Sequence, residues 1–272
     1  MKVYGVISDR RAFNSKSPAM HTAVLHKLRL SGVYLPFAVE PHHIGDAVRG
    51  LKALGVAGVN VTVPHKQAVM PFLDFLSEEA AAIGAVNTIV NRGNLLEGHN
   101  TDAAGFSDSL TQAGFEAAGK TAVVIGNGGA ARAVIFALKK LGASDIILAG
   151  RNQDKVEETA QELNVTPSLL DALQHRTFPV HLMVNAASVS SPAESPELAA
   201  WAAGLKLPEC RLVFDLNYGR PQNFWHALAE RRQVPFLGGL VMLAHQAKHS
   251  FELWTGLNVE AAEFLAGLGD GR

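Results

Sequence analysis

The sequence predicts an α/β protein with mostly parallel sheets, on three observations. Apolar runs of strand length alternate with helix-length segments along the whole chain, as βαβ units require. A glycine-rich turn, Gly126-Asn127-Gly128-Gly129, directly follows the apolar run Thr121-Ala-Val-Val-Ile125. A second valine-rich run, from Val56 to Val63, ends at Pro64 with polar residues Asn60, Thr62 and Lys66 gathered at its end. Open α/β sheets bind ligands at that strand edge.

Bulk properties narrow the function classes. A chain of 272 residues allows one or two domains with real cores. With 48% hydrophobic and 18% charged residues it is globular rather than disordered. A net charge of −1 gives no electrostatic reason to expect nucleic acid. The single cysteine, Cys210, cannot form an internal disulfide and fits a reducing cytosol. There is neither a signal-peptide apolar core nor a run of about 20 apolar residues to span a bilayer. The expectation is a soluble, cytoplasmic protein with no membrane partner.

The elements follow in order. Val3 to Ser8 reads as a strand, Ser17 to Leu28 as a helix with Pro18 in its first turn, Val33 to Val39 as a strand and His43 to Leu54 as a helix. Val56 to Val63 is the next strand. Pro64 then suits the first turn of a helix from His65 to Phe75, with a shorter helix near Ser77 to Ile83. Ala85 to Asn91 and Asn94 to His99 form a hairpin around Arg92-Gly93. Asp102 suits the N-cap of a helix ending near Gln112, with Gly114 just beyond it. A fresh βαβ unit then opens with the strand Thr121 to Ile125, the helix Gly129 to Leu141 and the strand Ile146 to Ala149. Further strands fall at Leu182 to Asn185 and Leu212 to Asp215, and late helices at Val241 to Trp254 and Val259 to Ala266. The expected division is 1–103, 104–239 and a C-terminal helical segment, 240–272.

Gly126 to Ala131 matches the dinucleotide fingerprint G-x-G-x-x-(G/A) in its proper strand–turn–helix context. Gly126 permits the tight turn, Gly128 lets the backbone approach a pyrophosphate, and Ala131 allows close packing of helix on sheet. Asn127, Gly129 and Ala130 complete the loop, whose helix N-terminus offers free N–H groups to phosphates. The next strand ends in Gly150-Arg151-Asn152 rather than in the acidic residue that holds an NAD ribose. Asp145 lies at the strand's other end, and Asp154 a few residues past it. Arg151 and Lys155 suit a 2′-phosphate, so NADP is the expected cofactor. The alternative leaves both as solvated surface cations.

Four other segments carry polar groups: Asn14-Ser15-Lys16-Ser17-Pro18, Gly84-Ala-Val-Asn87-Thr88, Asn100-Thr101-Asp102, and the late helix with Gln246 beside the run Ser250 to Gly256. Together with Asn60-Val-Thr62-Val-Pro64-His-Lys66 and the glycine loop, these resemble the shikimate dehydrogenase family, in order and over nearly the whole chain. The resemblance implies an α/β substrate domain with a mostly parallel sheet, a Rossmann-type NADP-binding domain, and late helices returning to the first domain. It implies NADPH-dependent reduction of 3-dehydroshikimate to shikimate. Ser15 and Ser17, with Tyr218 of Asp215-Leu-Asn-Tyr218, would bind the substrate carboxylate. Asn60, Thr62, Asn87 and Gln246 would hold ring hydroxyls, and Lys66 and Asp102 would be the catalytic pair. Gly239 would join the cofactor site. The expected partner is a small-molecule substrate, in a monomer or a homodimer.

Elementary chemistry agrees with that pair. Hydride arriving at a ketone carbon leaves an alkoxide, which a lysine ammonium can stabilise and protonate. Blander readings stand beside it: Asp102 as an N-cap, Ser15 and Ser17 as caps of the first helix, Asn87 and Thr62 as partners of buried backbone groups, Tyr218 as a packed aromatic. His245 and His249 have an i, i+4 spacing but no evident third ligand, so no metal is expected. His65, adjacent to Lys66, points elsewhere and is expected to pack or to support the site.

The chain departs from the family pattern in four places, one of them Asn127 in the glycine loop, where Ala is common. Ser8 to Ser15 lacks the usual Gly-x-Pro and His. Asn185-Ala-Ala-Ser-Val-Ser-Ser-Pro192 replaces N-A-T-S-x-G-M, and Leu237 to Met242 alters the late glycine motif. A quinate or dual quinate/shikimate dehydrogenase, with NAD or either cofactor, is the nearest competing reading. A non-catalytic metabolite sensor is the reading of a different class, and the intact Lys66 and Asp102 argue against it.

Overall fold

The computed structural model describes residues 1–93, 95–175 and 179–269. It divides into two compact units: residues 1–105 with 243–272, and residues 106–242. The chain passes from one to the other inside two of its helices.

The first unit contains β1 (Lys2–Ser8), α1 (Ser17–Lys27), β2 (Gly32–Ala38), α2 (Ile44–Ala53), β3 (Gly58–Val61), β4 (Phe75–Leu76), α3 (Glu78–Ile83), β5 (Thr88–Arg92), β6 (Leu95–His99) and the start of α4 (Asp102–Gln112). Its sheet has the order β2-β1-β3-β5-β6-β4. β1 pairs in parallel with β2 and β3, while β5 runs antiparallel to both β3 and β6. The sheet is mostly parallel with one reversed strand, supplied by the expected β5–β6 hairpin. Asn94, placed in that hairpin, lies outside the described residues. Strand alternation sends Tyr4 and Val6 into one apolar cluster and Ile7 into another.

The second unit holds β7 (Thr121–Ile125), α5 (Gly129–Lys140), β8 (Asp145–Gly150), α6 (Gln153–Glu162), β9 (Thr166–Leu169), α7 (Leu170–His175), β10 (Leu182–Asn185), α8 (Pro196–Gly204), β11 (Leu212–Asp215), α9 (Phe224–Arg232) and β12 (Phe236–Gly238). Its sheet order is β9-β8-β7-β10-β11-β12, and every pairing is parallel. Renumbered within the unit this is 3-2-1-4-5-6, the doubly wound dinucleotide order. The chain closes with α10 (Gly239–Thr255) and α11 (Ala261–Ala266); α1, the later part of α10 and α11 share one cluster in the first unit through Met20, Val24, Phe251 and Phe264.

One expected element does not form. Residues 65–75 are turns followed by a single 3-10 turn at Met70–Phe72, not an α-helix. The Lys66 carbonyl, which a helix would pair with Met70, accepts instead from the Val86 N–H at 2.8 Å. The Met70 N–H turns to Gln67 O, and Pro71 has no N–H to give. Residues 63–64 form a turn, so Pro64 does not open a helix; the Val63–Pro64 peptide is cis. Asp102 is the first residue of α4 rather than the residue before it, and the Asn100 side chain accepts its N–H at 3.0 Å.

Candidate active site and dinucleotide loop

In the first unit the polar residues collect where β3 ends and β5 and α4 begin. Asn60 is the third residue of β3, Thr62 follows the strand, and Lys66 sits in the turn after Pro64. Three contacts pin that turn. The Ser8 hydroxyl donates to Val63 O at 2.6 Å, the Val86 N–H reaches Lys66 O, and the His65 ring bonds Val39 O at 2.8 Å. His65 is buried and faces the end of β2, so it holds the loop that presents Lys66 and is not itself the presented acid.

The Lys66 ammonium lies 2.5 Å from Asp102 Oδ2, and the Asn87 amide donates to Asp102 Oδ1 at 2.9 Å. The side chains are only 15% and 7% exposed, so the pair is far less screened than a surface ion pair. Each carboxylate oxygen has a donor, and one of them is charged. Lys66 spends one of its three N–H donors on Asp102. Gln246, on α10, is buried beside the same group, its Oε1 3.4 Å from Asn87 Nδ2 and its Nε2 donating to Leu243 O at 2.8 Å.

Ser15 Oγ accepts the Ser17 N–H at 3.2 Å at the start of α1, so it does part of a cap's work. The Ser17 and Thr62 hydroxyls have no hydrogen-bond partner among the described residues and remain available to a ligand. The loop before them is a 3-10 turn at Arg10–Asn14 capped by Asp9. Hydrogen bonding from Arg11 brings the Asp9 carboxyl down to about 2.

Sequence reasoning missed Tyr34, Thr88, Thr101 and Ser250. The Tyr34 hydroxyl donates to Asn60 Oδ1 at 2.8 Å, and the three hydroxyls join Asn60 to Asn87. Thr88 and Thr101 lie inside the motifs and Ser250 next to one, so a signal was present; a strand tyrosine such as Tyr34 carries none. His21, on α1, carries none either. It stacks on Tyr34 with ring centroids 4.5 Å apart, and neither ring nitrogen has a partner among the described residues. Burial pushes it down to about 3, so it is a neutral core residue.

In the second unit the glycine loop leaves β7 and enters α5. Gly126 has φ +105° and a Cβ there would lie 2.8 Å from Ala187 N, so only glycine fits. Ala131 is fully buried, as its packing role requires. Gly128 precedes α5, and no side chain caps the helix. A Cβ at Gly128 would meet nothing within 4 Å. That open space beside the N-terminal N–H groups of α5 fits a pyrophosphate.

Arg151 and Lys155 are exposed at the end of β8 and in α6. Asn152 caps α6, its Oδ1 accepting the Lys155 N–H at 3.0 Å. A cavity of about 220 Å³ opens beside Gly150 and Arg151, with Leu169, Asp171, Ser195 and Trp201 among its lining residues. At the far side of the sheet, Asp215 is fully buried and accepts from Asn185, Asn217 and Asn223. This bracing fixes the loop carrying Tyr218 and the altered segment after β10, where Glu194 accepts the N–H groups of Ser190 and Ser191. Gly239 opens α10 with its Cα packed against Leu216, where a Cβ would lie 2.1 Å from the carbonyl oxygen. Among the described residues no group of three or more His, Cys, Asp or Glu is arranged to hold a metal ion, and no helix is long and apolar enough to cross a membrane.

A 3-2-1-4-5-6 parallel sheet with an uncapped glycine loop, in a chain that also carries a shielded lysine–carboxylate pair, defines a dehydrogenase of the Rossmann-type class. Residues 10–89 match the shikimate dehydrogenase substrate binding domain, 109–230 match shikimate / quinate 5-dehydrogenase, and 239–265 match the shikimate 5′-dehydrogenase C-terminal domain. The shikimate dehydrogenase (NADP(+)) of Desulforamulus reducens is 42% identical over 252 residues, which span 89% of this chain and 86% of that one. The crystal structure of shikimate dehydrogenase from Aquifex aeolicus superposes with a TM-score of 0.89 at 33% identity, covering 99% of this chain and 98% of that one. That of Thermus thermophilus shikimate 5-dehydrogenase, in complex with NADP(H) and shikimate, gives 0.86 at 32% identity, covering 98% of each chain. The chain belongs to the shikimate dehydrogenase family.

Proposed function

We propose that this chain is an NADP-dependent shikimate dehydrogenase. It reduces the ketone of 3-dehydroshikimate to the alcohol of shikimate, reversibly, on the route to chorismate and the aromatic amino acids. The observation that carries this reading is the Lys66–Asp102 pair, 2.5 Å apart and shielded from solvent. Bound NADPH supplies the hydride. Lys66 stabilises the oxyanion that forms at the carbonyl and gives it a proton; in the reverse direction it takes the hydroxyl proton. Asp102 keeps the ammonium aimed and balances its charge, and Asn87 keeps Asp102 aimed.

Ser15, Ser17 and Thr62 offer hydroxyls to the substrate's carboxylate and ring, and Gln246 offers its amide. Tyr218 is assigned to the carboxylate on its motif. The first unit is the substrate-binding unit and the second the NADP-binding one. Gly126, Asn127, Gly128, Gly129, Ala130 and Ala131 cradle the pyrophosphate, Arg151, Asn152 and Lys155 take the adenosine 2′-phosphate end, and Gly239 takes the nicotinamide end. The single, buried cysteine fits a cytoplasmic enzyme, acting as a monomer or a homodimer. The test is a side-by-side assay of shikimate and quinate with NADP and NAD. Shikimate with NADP is expected to give the highest kcat/KM. Faster turnover of quinate, or binding without turnover on any pairing, would refute the reading.

A further inference from the structure

Asn60 and Asn87 are both nearly fully buried, and backbone groups fix which way each amide points. The Asn87 carbonyl, an acceptor only, lies 3.3 Å from Asn60 Nδ2. The Thr101 N–H, a donor only, lies 2.7 Å from Asn87 Oδ1. Between the two amides sit three buried hydroxyls, on Thr88, Thr101 and Ser250. Antiparallel pairing sets Thr88 opposite Asn60. Ser250 reaches the same point from α10, and Thr101 from the residue before α4.

One set of donor directions satisfies the two asparagine amides and the three hydroxyls. The Ser250 hydroxyl donates back to Gln246 O at 3.0 Å, leaving its oxygen to accept from Asn60 Nδ2 at 2.9 Å and from Thr101 at 3.0 Å. Thr88 accepts the second Asn60 hydrogen at 3.2 Å and donates to Asn87 Oδ1 at 2.9 Å. Thr101, having donated to Ser250, accepts from Asn87 Nδ2 at 2.9 Å. The remaining Asn87 hydrogen goes to Asp102 Oδ1. Tyr34 closes the far end on Asn60 Oδ1. Asn60 therefore spends both amide hydrogens inside the protein.

We propose that Thr88, Thr101 and Ser250, with Asn60 and Tyr34 behind them, are positioning residues for the reaction. They hold the Asn87 amide so that it donates to Asp102, and so keep Asp102 aimed at Lys66. Asn60 acts through this hub rather than on a ring hydroxyl. The inference rests on Lys66 and Asp102 being the catalytic pair.

The test compares Thr88→Val, Thr88→Ser, Ser250→Ala and Lys66→Ala with the unmodified protein, in shikimate oxidation with NADP and in thermal unfolding. Thr88→Val and Ser250→Ala are expected to lower kcat about tenfold, as a small loss of alignment does, with KM for shikimate changed by less than about threefold. Thr88→Ser, which keeps the hydroxyl, is expected to restore kcat. If Thr88→Val does not fold, Ser250→Ala decides. Loss of thermal stability with unchanged kcat would overturn the proposal, as would a raised KM at constant kcat. Undiminished activity in Lys66→Ala would refute the underlying catalytic assignment. Loss in that variant with unaltered kcat in both hub variants would refute the hub alone.

Discussion

Gly126→Ala and Gly128→Ala separate the two jobs of the glycine loop. At Gly126 the backbone has φ +105°, which costs a residue with a Cβ about 1–2 kcal/mol. The new methyl would lie 2.8 Å from Ala187 N and 3.0 Å from Ala186 C. Both are backbone atoms in the loop after β10, so relief requires moving that loop, at about 1–3 kcal/mol. The sum, about 2–5 kcal/mol, should lower the melting of the second unit by about 5–15 °C. Because the loop shifts, NADPH affinity should also fall by at least about tenfold, or 1.4 kcal/mol. At Gly128 the backbone angles, φ −84° and ψ −176°, are open to any residue, and a Cβ meets nothing within the protein. Gly128→Ala should therefore change stability by less than about 0.5 kcal/mol. Its methyl occupies the space assigned to the pyrophosphate, so it should weaken NADPH as severely as Gly126→Ala. Differential scanning calorimetry and fluorescence titration with NADPH read the two effects independently. Full NADPH affinity in Gly128→Ala would refute the placement of the phosphates, and unchanged melting in Gly126→Ala would refute the steric argument.

Two further predictions concern charge. Arg151→Ala should raise KM for NADP by about tenfold or more through loss of the guanidinium–phosphate contact, while KM for NAD changes little; parallel kinetics with both cofactors check this, and an equal effect on both would contradict it. His21 binds its proton at about 3 in the folded protein and near 6.5 when unfolded. The unfolded chain therefore holds the extra proton between those values, and stability falls as pH drops through 6.5 towards 3. At pH 5 the loss relative to neutral pH is about 2 kcal/mol. His21→Phe, which keeps the stack on Tyr34, should remove that part of the loss in urea titrations at pH 7 and pH 5, and an unaltered pH dependence would contradict it.

Much of the fold was legible because local signals agreed with one another. The strands Thr121–Ile125, Leu182–Asn185 and Leu212–Asp215 form over the expected residues, since buried parallel strands are short continuous apolar runs bounded by turns. The helix expected at residues 65–75 failed for a nonlocal reason: Val86, twenty residues on, takes the Lys66 carbonyl. No periodicity reports a competitor of that kind. The helices α6, α8 and α9 and the strand β12 have weaker signals in the sequence. Val156 is the one large apolar residue of α6, α9 crowds its apolar residues into its first turns ahead of Glu230, Arg231 and Arg232, and β12 is only three residues long. At the site, Lys66, Asp102, Asn87 and Gln246 stood out by motif, and the structure brings all four together. Thr88 and Thr101 lie inside those motifs and Ser250 beside one, but no role could be read for them there, because what a buried hydroxyl does depends on hydrogen-bond direction rather than residue type. The altered segment after β10 also gains a meaning that sequence could not supply: Ser190 accepts from Asn185 and Asn217, so the changed loop is braced rather than loosened.

The most direct test of the central claim is single-turnover oxidation of shikimate by NADP in the unmodified protein and in Lys66→Ala, with shikimate binding measured on both. Lys66 handles the proton in this account, so the variant should bind shikimate and lose about 10²–10⁴-fold in rate. A Lys66→Ala protein that turns over shikimate at the unmodified rate would contradict it.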